Sequence, residues 1–527
     1  MPDHAPNAPS SPSPPDLSRS QAALAVAAVL VLLAVLYLVP VLSHDWPLAD
    51  GGLFYAMIGD IIAVGFALPQ TISYQQDIIP FAYPPLVFYL AAGVEELTGL
   101  GRADVMRLLP PLFTLVAVGT MYLLASELGP SRRHAALSMA LFGALVSVSP
   151  AVTALIGGGG LPRSLGLALA ILAVWQGVRM FKSGRWRNVA LTALFAGLAV
   201  TTHPQAGVFL VVALAAAWLT RWRTVRAAVQ LAIAAAASLL VVGPWLAVVI
   251  SRHGIDPFIS AMAVPDRDLL ASLLAYVFLF FTLAPFIAVL DIVGQVQQLT
   301  ARRPHLLVWR LGVFVFDIRF SPIAAAAPAS MLAAHGVLDA VVPATWQLLG
   351  RGGRTVSGEA RARARQAIVA LVLGLALLPT LWQAVELTGP DAALSAEQRA
   401  AMTWIADNTE TEVITVTLAS DDWGSDDLSE WFPALSERRT ATAAQGLEWI
   451  AQTRDAHQAA EDRLATCRQG PDPAACVAAW IELELAAEAV VVYVDHATDP
   501  ALVPALIEEQ GYEPLWTEAV GTVLEPA

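Results

Sequence analysis

Lysine is all but missing from this chain of 527 residues: Lys182 stands alone among 30 basic residues. Charge of every kind is sparse, at 14% of residues against 57% hydrophobic. A soluble protein of this length would need charged faces to break its apolar runs, so that class is excluded. No basic stripe with interleaved aromatics occurs, and nucleic acid is not an expected partner. Cysteine is limited to Cys467 and Cys476, with no cysteine–histidine spacing that suggests zinc. No phosphate-binding glycine loop followed by a helix and a lysine is present, so no nucleotide site is expected.

What the chain has instead is apolar runs of about 20 residues, the length that crosses a bilayer, over its first three quarters. Runs at 21–43, 106–127, 134–152, 164–181, 189–203, 206–220, 227–250, 270–293, 305–318, 322–342 and 367–386 predict eleven transmembrane helices. Residues 1–20, rich in proline and serine, read as a disordered cytoplasmic tail. They lack the basic start of a cleaved signal peptide, so 21–43 reads as a retained first helix.

Basic loops resist translocation, and their placement sets orientation. With the amino terminus inside, the inner loops collect 15 of the 30 basic residues, among them Arg132, Arg133, Arg185, Arg302 and Arg361. The outer loops hold only Arg102, Arg107, Arg163, Arg252, Arg267 and Arg319. This arrangement needs a long first outer loop, 44–105. A span at 84–100 would invert every later loop against the charge rule. The near-exclusive use of arginine and the abundance of alanine fit a GC-rich bacterial genome, hence the plasma membrane.

The fold class expected is mainly α and polytopic: a transmembrane module over 21–388, then an extracytoplasmic α/β domain over 389–527. The formal net charge of −14 reflects acids gathered after residue 390. There, "AEQRAAMTWIADNT" reads as a helix, "EVITVTL" and "AEAVVVYVDH" as strands, "VGTVLEP" as a further strand, and 447–465 and 474–488 as helices. Outside the cytoplasm Cys467 and Cys476 would form a local disulfide, two free thiols being the alternative.

The stretch "LADGGLFYAMIGDI", residues 48–61, follows the first span directly. Asp50 emerges beside the membrane with two small residues after it, so its carboxylate could take a proton from an acceptor hydroxyl. It could equally cap the helix that starts at Gly51. Leu53, Phe54, Met57, Ile58, Ile61 and Ile62 recur at helical spacing and predict an interfacial helix with its apolar face in the lipid boundary. Arg163 follows four glycines at the start of a span, where free backbone amides and a guanidinium could meet an anion. His203 in "TTHPQAG", Arg252 beside His253, and Tyr83 opening "YPPLVFYL" are weaker candidates for donor or acceptor contacts. Asp266 and Asp268 in "PDRD" could hold a divalent ion, though a solvated loop is the plainer reading. In "SDDWGSDDLSEWFPALSERR", Trp423 and Trp431 could stack on sugar faces and Asp422 or Glu430 could accept sugar hydroxyls; a loop packed by its aromatics is the alternative.

An acidic residue just after the first span, an amphipathic helix, "YPPLVFYL" and then a span ending in a basic inner loop resemble the GT-C superfamily over roughly residues 21–345. These integral-membrane glycosyltransferases use lipid-linked sugars and include protein O-mannosyltransferases, aminoarabinose transferases and the catalytic subunit of oligosaccharyltransferase. The resemblance implies a polyprenyl-phosphate sugar as donor, Asp50 as general base, and an envelope glycan, lipid or protein as acceptor. It places Arg319 where related transferases carry an arginine facing the donor phosphate. Many members have a second acidic residue where this chain has Gly51, and "IGGGGLPRS" stands where a second acidic motif is expected. No cofactor is therefore expected, and a divalent metal is put in doubt. Two rivals are a transporter or flippase, and a non-catalytic envelope assembly protein. Against the first, the span centres carry almost no charge and no internal repeat is visible.

Overall fold

The computed structural model describes residues 16–148, 151–262, 274, 277–278, 280–316, 321–350, 357–420, 422–423, 426–485 and 488–526. It is mainly helical, with a small sheet near the C-terminus. The first half comprises α1 (Arg19–Ser43), α2 (Gly52–Ala63), α3 (Leu86–Thr98), α4 (Arg102–Leu128), α5 (Arg132–Leu145), α6 (Leu161–Ser183), α7 (Trp186–Val200), α8 (Pro204–Arg221) and α9 (Val225–His253). Next come α10 (Asp256–Met262), α11 (Pro285–Thr300), α12 (His305–Phe316), α13 (Ser321–His335), α14 (Val342–Leu349) and α15 (Gly358–Glu386).

Seven helices among the described residues are long and apolar enough to cross a membrane. They match seven of the eleven expected spans. The other four differ for local reasons. The run at 134–152 stops being helical at Leu145, those at 189–203 and 305–318 form helices of 15 and 12 residues, and 270–293 lies partly outside the described residues. At 1.5 Å per residue such short helices fall below the ~30 Å hydrocarbon thickness by themselves. The bundle core is rich in small residues, with Ala117, Ala125, Ala168, Ala170 and Ala173 all buried. Such residues let helix backbones approach closely where lipid supplies no hydrophobic drive. The intramembrane charge Asp291 is paired with Arg310 at 2.8 Å, both side chains buried.

After residue 390 the chain forms α16 (Ala396–Asn408), α17 (Asp427–Ser436), α18 (Ala451–Arg468), α19 (Pro473–Leu485) and α20 (Leu502–Gln510) around a five-stranded sheet. Its strands, in the order β4-β3-β5-β7-β6, are β3 (Ile414–Leu418), β4 (Arg439–Thr440), β5 (Val490–Asp495), β6 (Glu513–Glu518) and β7 (Gly521–Glu525). β3 pairs in parallel with β4 and β5, whereas β7 pairs antiparallel with β5 and β6. β3 and β5 are buried along their whole lengths, as continuous apolar runs between helical layers should be. Cys467 and Cys476 are disulfide-bonded, joining the end of α18 to α19.

The segment between α1 and α4 docks on this sheet region. A short ribbon, β1 (Thr71–Ile72) with β2 (Ile79–Pro80), leads into Gln75, which bridges in parallel to Thr440 at the sheet edge. Ala49 bridges across by donating to the Ala392 carbonyl at 3.0 Å, and Asp77 meets His457 at 2.7 Å. The striped helix α2 is accordingly not a lipid-boundary helix. Leu53, Phe54, Met57, Ile58 and Ile61 are buried in one cluster with Met402, Ile405, Trp431 and Phe432 of the C-terminal region. The same apolar stripe serves a protein partner as well as a lipid one, which is why spacing alone misassigned it.

Trp431 is the wedge in this docking. It is fully buried, packs against Trp46 (5.3 Å between centroids) and Tyr55 (5.8 Å), and donates its Nε1–H to the Ala49 carbonyl at 2.8 Å. Trp431→Ala is expected to lower stability by about 3–5 kcal/mol, the usual range for deleting a buried aromatic. Thermal unfolding of the purified protein in detergent would show it, and an unchanged midpoint would mean that the docking does not need this ring.

Candidate active site

Asp50 sits in a closely packed turn against the backbone of Gly158 and Gly159. The chain leaves α1, turns through Ala49 at a φ of 52°, and passes Gly51 at a φ of 149° before α2 begins. A side chain at Gly51 would be strained and would press on Gly158 and the Trp431 ring, each 3.0 Å from an added Cβ. The N-cap of α2 is Gly51, with no side-chain cap, so Asp50 does not spend its carboxylate on capping. The carboxylate accepts no hydrogen bond from the described residues and lies against the α-carbon of Gly159, where any Cβ would collide with it. Gly159 donates its N–H to the Asp50 carbonyl at 2.7 Å, and Gly158 donates to Leu48 at 2.9 Å. The four-glycine stretch thus forms a side-chain-free cradle around the Asp50 turn.

Arg163, on the first turn of α6, donates to the Gly159 carbonyl at 3.3 Å and stands on the same cradle. It also lines a small cavity of about 40 Å³ with His203, Gln205, Phe209, Ile323 and Ala324. His203, which reads as a loop residue in the sequence, is a buried wall of this cavity, its ring 6.3 Å from that of Tyr83. Tyr83 packs edge-on against Phe54, Phe88 and Trp449. Its phenol is held above the usual range by burial, and it feels Arg163, Glu448 and Asp50.

The C-terminal region contributes acids. Asp426 caps α17, accepting from Leu428 and Ser429 at 3.2 and 3.3 Å. One turn of that helix carries Asp427 and Glu430 toward Asp50. Glu430 is buried beside Gly51. Burial, then Asp50 and Asp427, push its pKa well above the ordinary value, against the opposing pull of Arg163. Asp427 is pushed up to about 7 by burial, Asp50 and Asp426. Tyr74 donates its hydroxyl to the Glu430 carbonyl. Asp427 and Glu430 thus both feel Asp50, and Glu430 also feels Arg163, so buried acids gather beside the Asp50 turn.

Several candidates lie elsewhere. Trp423 packs in the C-terminal core, 6.4 Å from Trp480, and has no open face for a sugar. Trp431 is equally closed to a sugar and acts as the wedge described above. Asp422 is exposed in the loop beside Trp423. Arg252 donates to the Leu68 and Pro69 carbonyls at 2.8 and 3.1 Å, holding the loop that precedes β1. Arg319, Asp266 and Asp268 lie outside the described residues. The sequence reading missed Asp427, Tyr74 and Glu448. An Asp-x-x-Glu step on one helix face was visible for Asp427, whereas nothing local marked Tyr74 or Glu448. Among the described residues, one group is spaced to share a metal ion: His134, His335 and Asp339, beside a π-helical turn at Gly336–Val341 and remote from Asp50.

The raised Asp427 and Glu430 fix the sign of a pH effect. The folded state keeps protons that the unfolded chain would release above pH ~4, so this contribution favours folding at low pH and fades as pH rises toward 7 and beyond. Melting of the wild type is expected to fall between pH 5 and 8, and Asp427→Asn to flatten that fall by a few degrees. Equal slopes in the two proteins would show that Asp427 holds no extra proton.

Comparisons with known proteins agree with this architecture. The family profile of dolichyl-phosphate-mannose-protein mannosyltransferases matches residues 82–247. A search of curated proteins finds no match. Among solved structures, ArnT from Cupriavidus metallidurans aligns over 96% of this chain and 98% of its own, at 17% identity and a TM-score of 0.59. Its form bound to undecaprenyl phosphate gives 0.60. The oligosaccharyltransferase AglB from Archaeoglobus fulgidus, in complex with an inhibitory peptide and a dolichol-phosphate, covers 95% of this chain at 14% identity and 0.59, over 74% of its own length. The mycobacterial arabinofuranosyltransferase AftD gives 0.58 at 17% identity, covering 97% of this chain but 40% of its own. At these identities the likeness to each is one of fold. The chain is a polytopic membrane protein with the fold of the GT-C glycosyltransferases, and its segment 82–247 is mannosyltransferase-like.

Proposed function

We propose that this protein transfers a sugar from a polyprenyl-phosphate donor to an acceptor hydroxyl on the extracytoplasmic face of the plasma membrane. The observation that carries the reading is the Asp50 carboxylate. It is held in a glycine cradle at the exit of the first helix, left without a hydrogen-bond partner among the described residues, and set against the same Gly159 that Arg163 contacts. Two fold relatives have been solved with undecaprenyl phosphate and a dolichol-phosphate, lipids that suit such a donor.

Asp50 accepts the proton of the acceptor hydroxyl as its oxygen attacks the anomeric carbon. The bond from that carbon to the lipid-phosphate oxygen breaks, and the sugar inverts. Negative charge grows on the departing phosphate, where Arg163 can stabilise it. The cavity lined by Arg163, His203 and Gln205 lies among the helices, where a lipid-anchored phosphate arrives. Arg319 is proposed as a second phosphate contact on the strength of the family resemblance. Burial and Asp50 push Asp427 and Glu430 toward their protonated forms, and a protonated carboxyl is a poor base.

Sugar transfer in proteoliposomes tests this, with a panel of polyprenyl-phosphate sugars, a cell-envelope acceptor fraction and mass-spectrometric detection of donor loss. Asp50→Asn is expected to reduce turnover at least ~100-fold, the scale of a lost general base. Gly159→Ala, whose methyl displaces the carboxylate, is expected to reduce it comparably while Asp50 remains. Wild-type turnover that survives both changes would leave Asp50 no catalytic role. A wild type that consumes no donor would favour transport or assembly.

A further inference from the structure

A second group of titratable side chains gathers at the far end of α4 from the Asp50 turn. Arg107, near the start of α4, donates to the His44 carbonyl just before that turn. His134 follows the opposite end of the helix, on the first turn of α5. The 27 residues of α4 span about 40 Å between the two places. His134 Nε2 lies 3.0 Å from Asp339 Oδ1, and His335 Nδ1 lies 2.7 Å from Asp339 Oδ2. The ligand atoms of all three residues fall within 4.8 Å of one another.

The sequence spaces two of them as a chelate. His335 and Asp339 are four residues apart, so one helical face presents both. The turn that carries Asp339, Gly336–Val341, is π-helical, a wide turn found frequently at functional sites. His134 arrives from α5, and Ser131 Oγ holds its Nδ1 at 2.8 Å. With its hydrogen on Nδ1 and donated to that hydroxyl, the ring turns an Nε2 lone pair toward Asp339. Hydrogen bonds of this kind fix the tautomer and orientation of ligating histidines. The His134 and His335 side chains are only 11% and 6% exposed, while Asp339 at 32% leaves a route for an ion and its water.

Charge balance points the same way. Asp339 lies within Ile323–Leu349, a stretch long and apolar enough to cross a membrane. A carboxylate there is costly unless a cation accompanies it. Asp291 has Arg310, whereas the ion-pair partners of Asp339 among the described residues are the two histidines alone. Imidazole is neutral over much of the physiological range, so it supplies hydrogen bonds but no lasting positive charge. One divalent ion would balance the carboxylate and engage both imidazole lone pairs. Tetrahedral bonds of about 2.0–2.1 Å set ligand atoms about 3.3 Å apart. The two histidine–carboxylate separations, 3.0 and 2.7 Å, are already close to that.

We propose that His134, His335 and Asp339 bind a divalent transition-metal ion, zinc foremost, with water in the fourth position. Two nitrogens and one carboxylate suit zinc better than magnesium or calcium, which prefer all-oxygen shells. The ion ties the start of α5 to the end of α13, at the end of the bundle that the basic loops predict to be cytoplasmic. The site stands whether or not the protein transfers sugar.

The test uses the full chain in nanodiscs, without a histidine tag, stripped with EDTA and desalted. It is titrated with Zn²⁺ and, as a spectroscopic probe, with Co²⁺. The wild type is expected to bind one ion per chain, to show the intense visible bands of four-coordinate Co²⁺, and to melt higher with Zn²⁺. Asp339→Asn, which keeps the side-chain shape, and His134→Ala are each expected to weaken Zn²⁺ at least ~100-fold, beyond the effect of losing an outer partner. Both are expected to lose the Co²⁺ bands and the zinc-dependent rise in melting. Ser131→Ala keeps all three ligands and is expected to weaken Zn²⁺ about 10-fold, which decides the matter if a ligand variant fails to fold. His457→Ala, which removes the histidine paired with Asp77, is expected to leave every readout unchanged. A wild type that takes up no stoichiometric ion would overturn the proposal and leave a hydrogen-bonded cluster. Binding that survives the ligand variants, or that disappears in His457→Ala, would overturn it too.

Discussion

The contact between the Asp50 turn and the glycine cradle is the constraint on which the rest depends. Residues 48–52, 157–163 and 426–431 are separated by more than 100 residues at each step, yet they share one small volume. A side chain on Gly159 would strike the carboxylate, and one on Gly51 would strike Gly158 and Trp431. The backbone bonds from Gly158 and Gly159 to Leu48 and Asp50 fix the turn from the membrane side, and Trp431 fixes it from the other. Neither half of the molecule makes the site by itself. The C-terminal region is therefore part of the site's construction, and the burial of Trp431, Phe432 and the α2 stripe holds three carboxylates together against their mutual repulsion.

That division explains what was legible in the sequence. Period and length gave the long helices, because a bilayer demands about 20 apolar residues whatever else the fold does. β3, β5 and β7 were readable as short apolar runs. β6, with mostly exposed residues such as Glu513 and Glu518, carries no such run and was not. Asp50, Arg163 and Glu430 were singled out by residue type and position. Their convergence was not legible, since nothing local in "SDDLSEWF" says that its helix abuts residue 51. The α2 stripe failed for a related reason: amphipathicity reports that a face is buried and is silent about what buries it. His203 looked like a loop residue because its burial comes from other elements, Tyr83 on one side and the α6–α8 cavity wall on the other.

The charge balance at the site has a consequence for donor binding on the transferase reading. Arg163 is the cation that opposes the raised pKa of Glu430, alongside the Gly51 amide. A phosphate that takes up Arg163 withdraws part of that support and adds negative charge nearby. Both effects favour the protonated forms of Glu430 and Asp427. Donor binding and proton retention are then coupled, and by linkage each strengthens the other. A side chain at Gly51, acidic or not, would be strained and would press on Gly158 and the Trp431 ring.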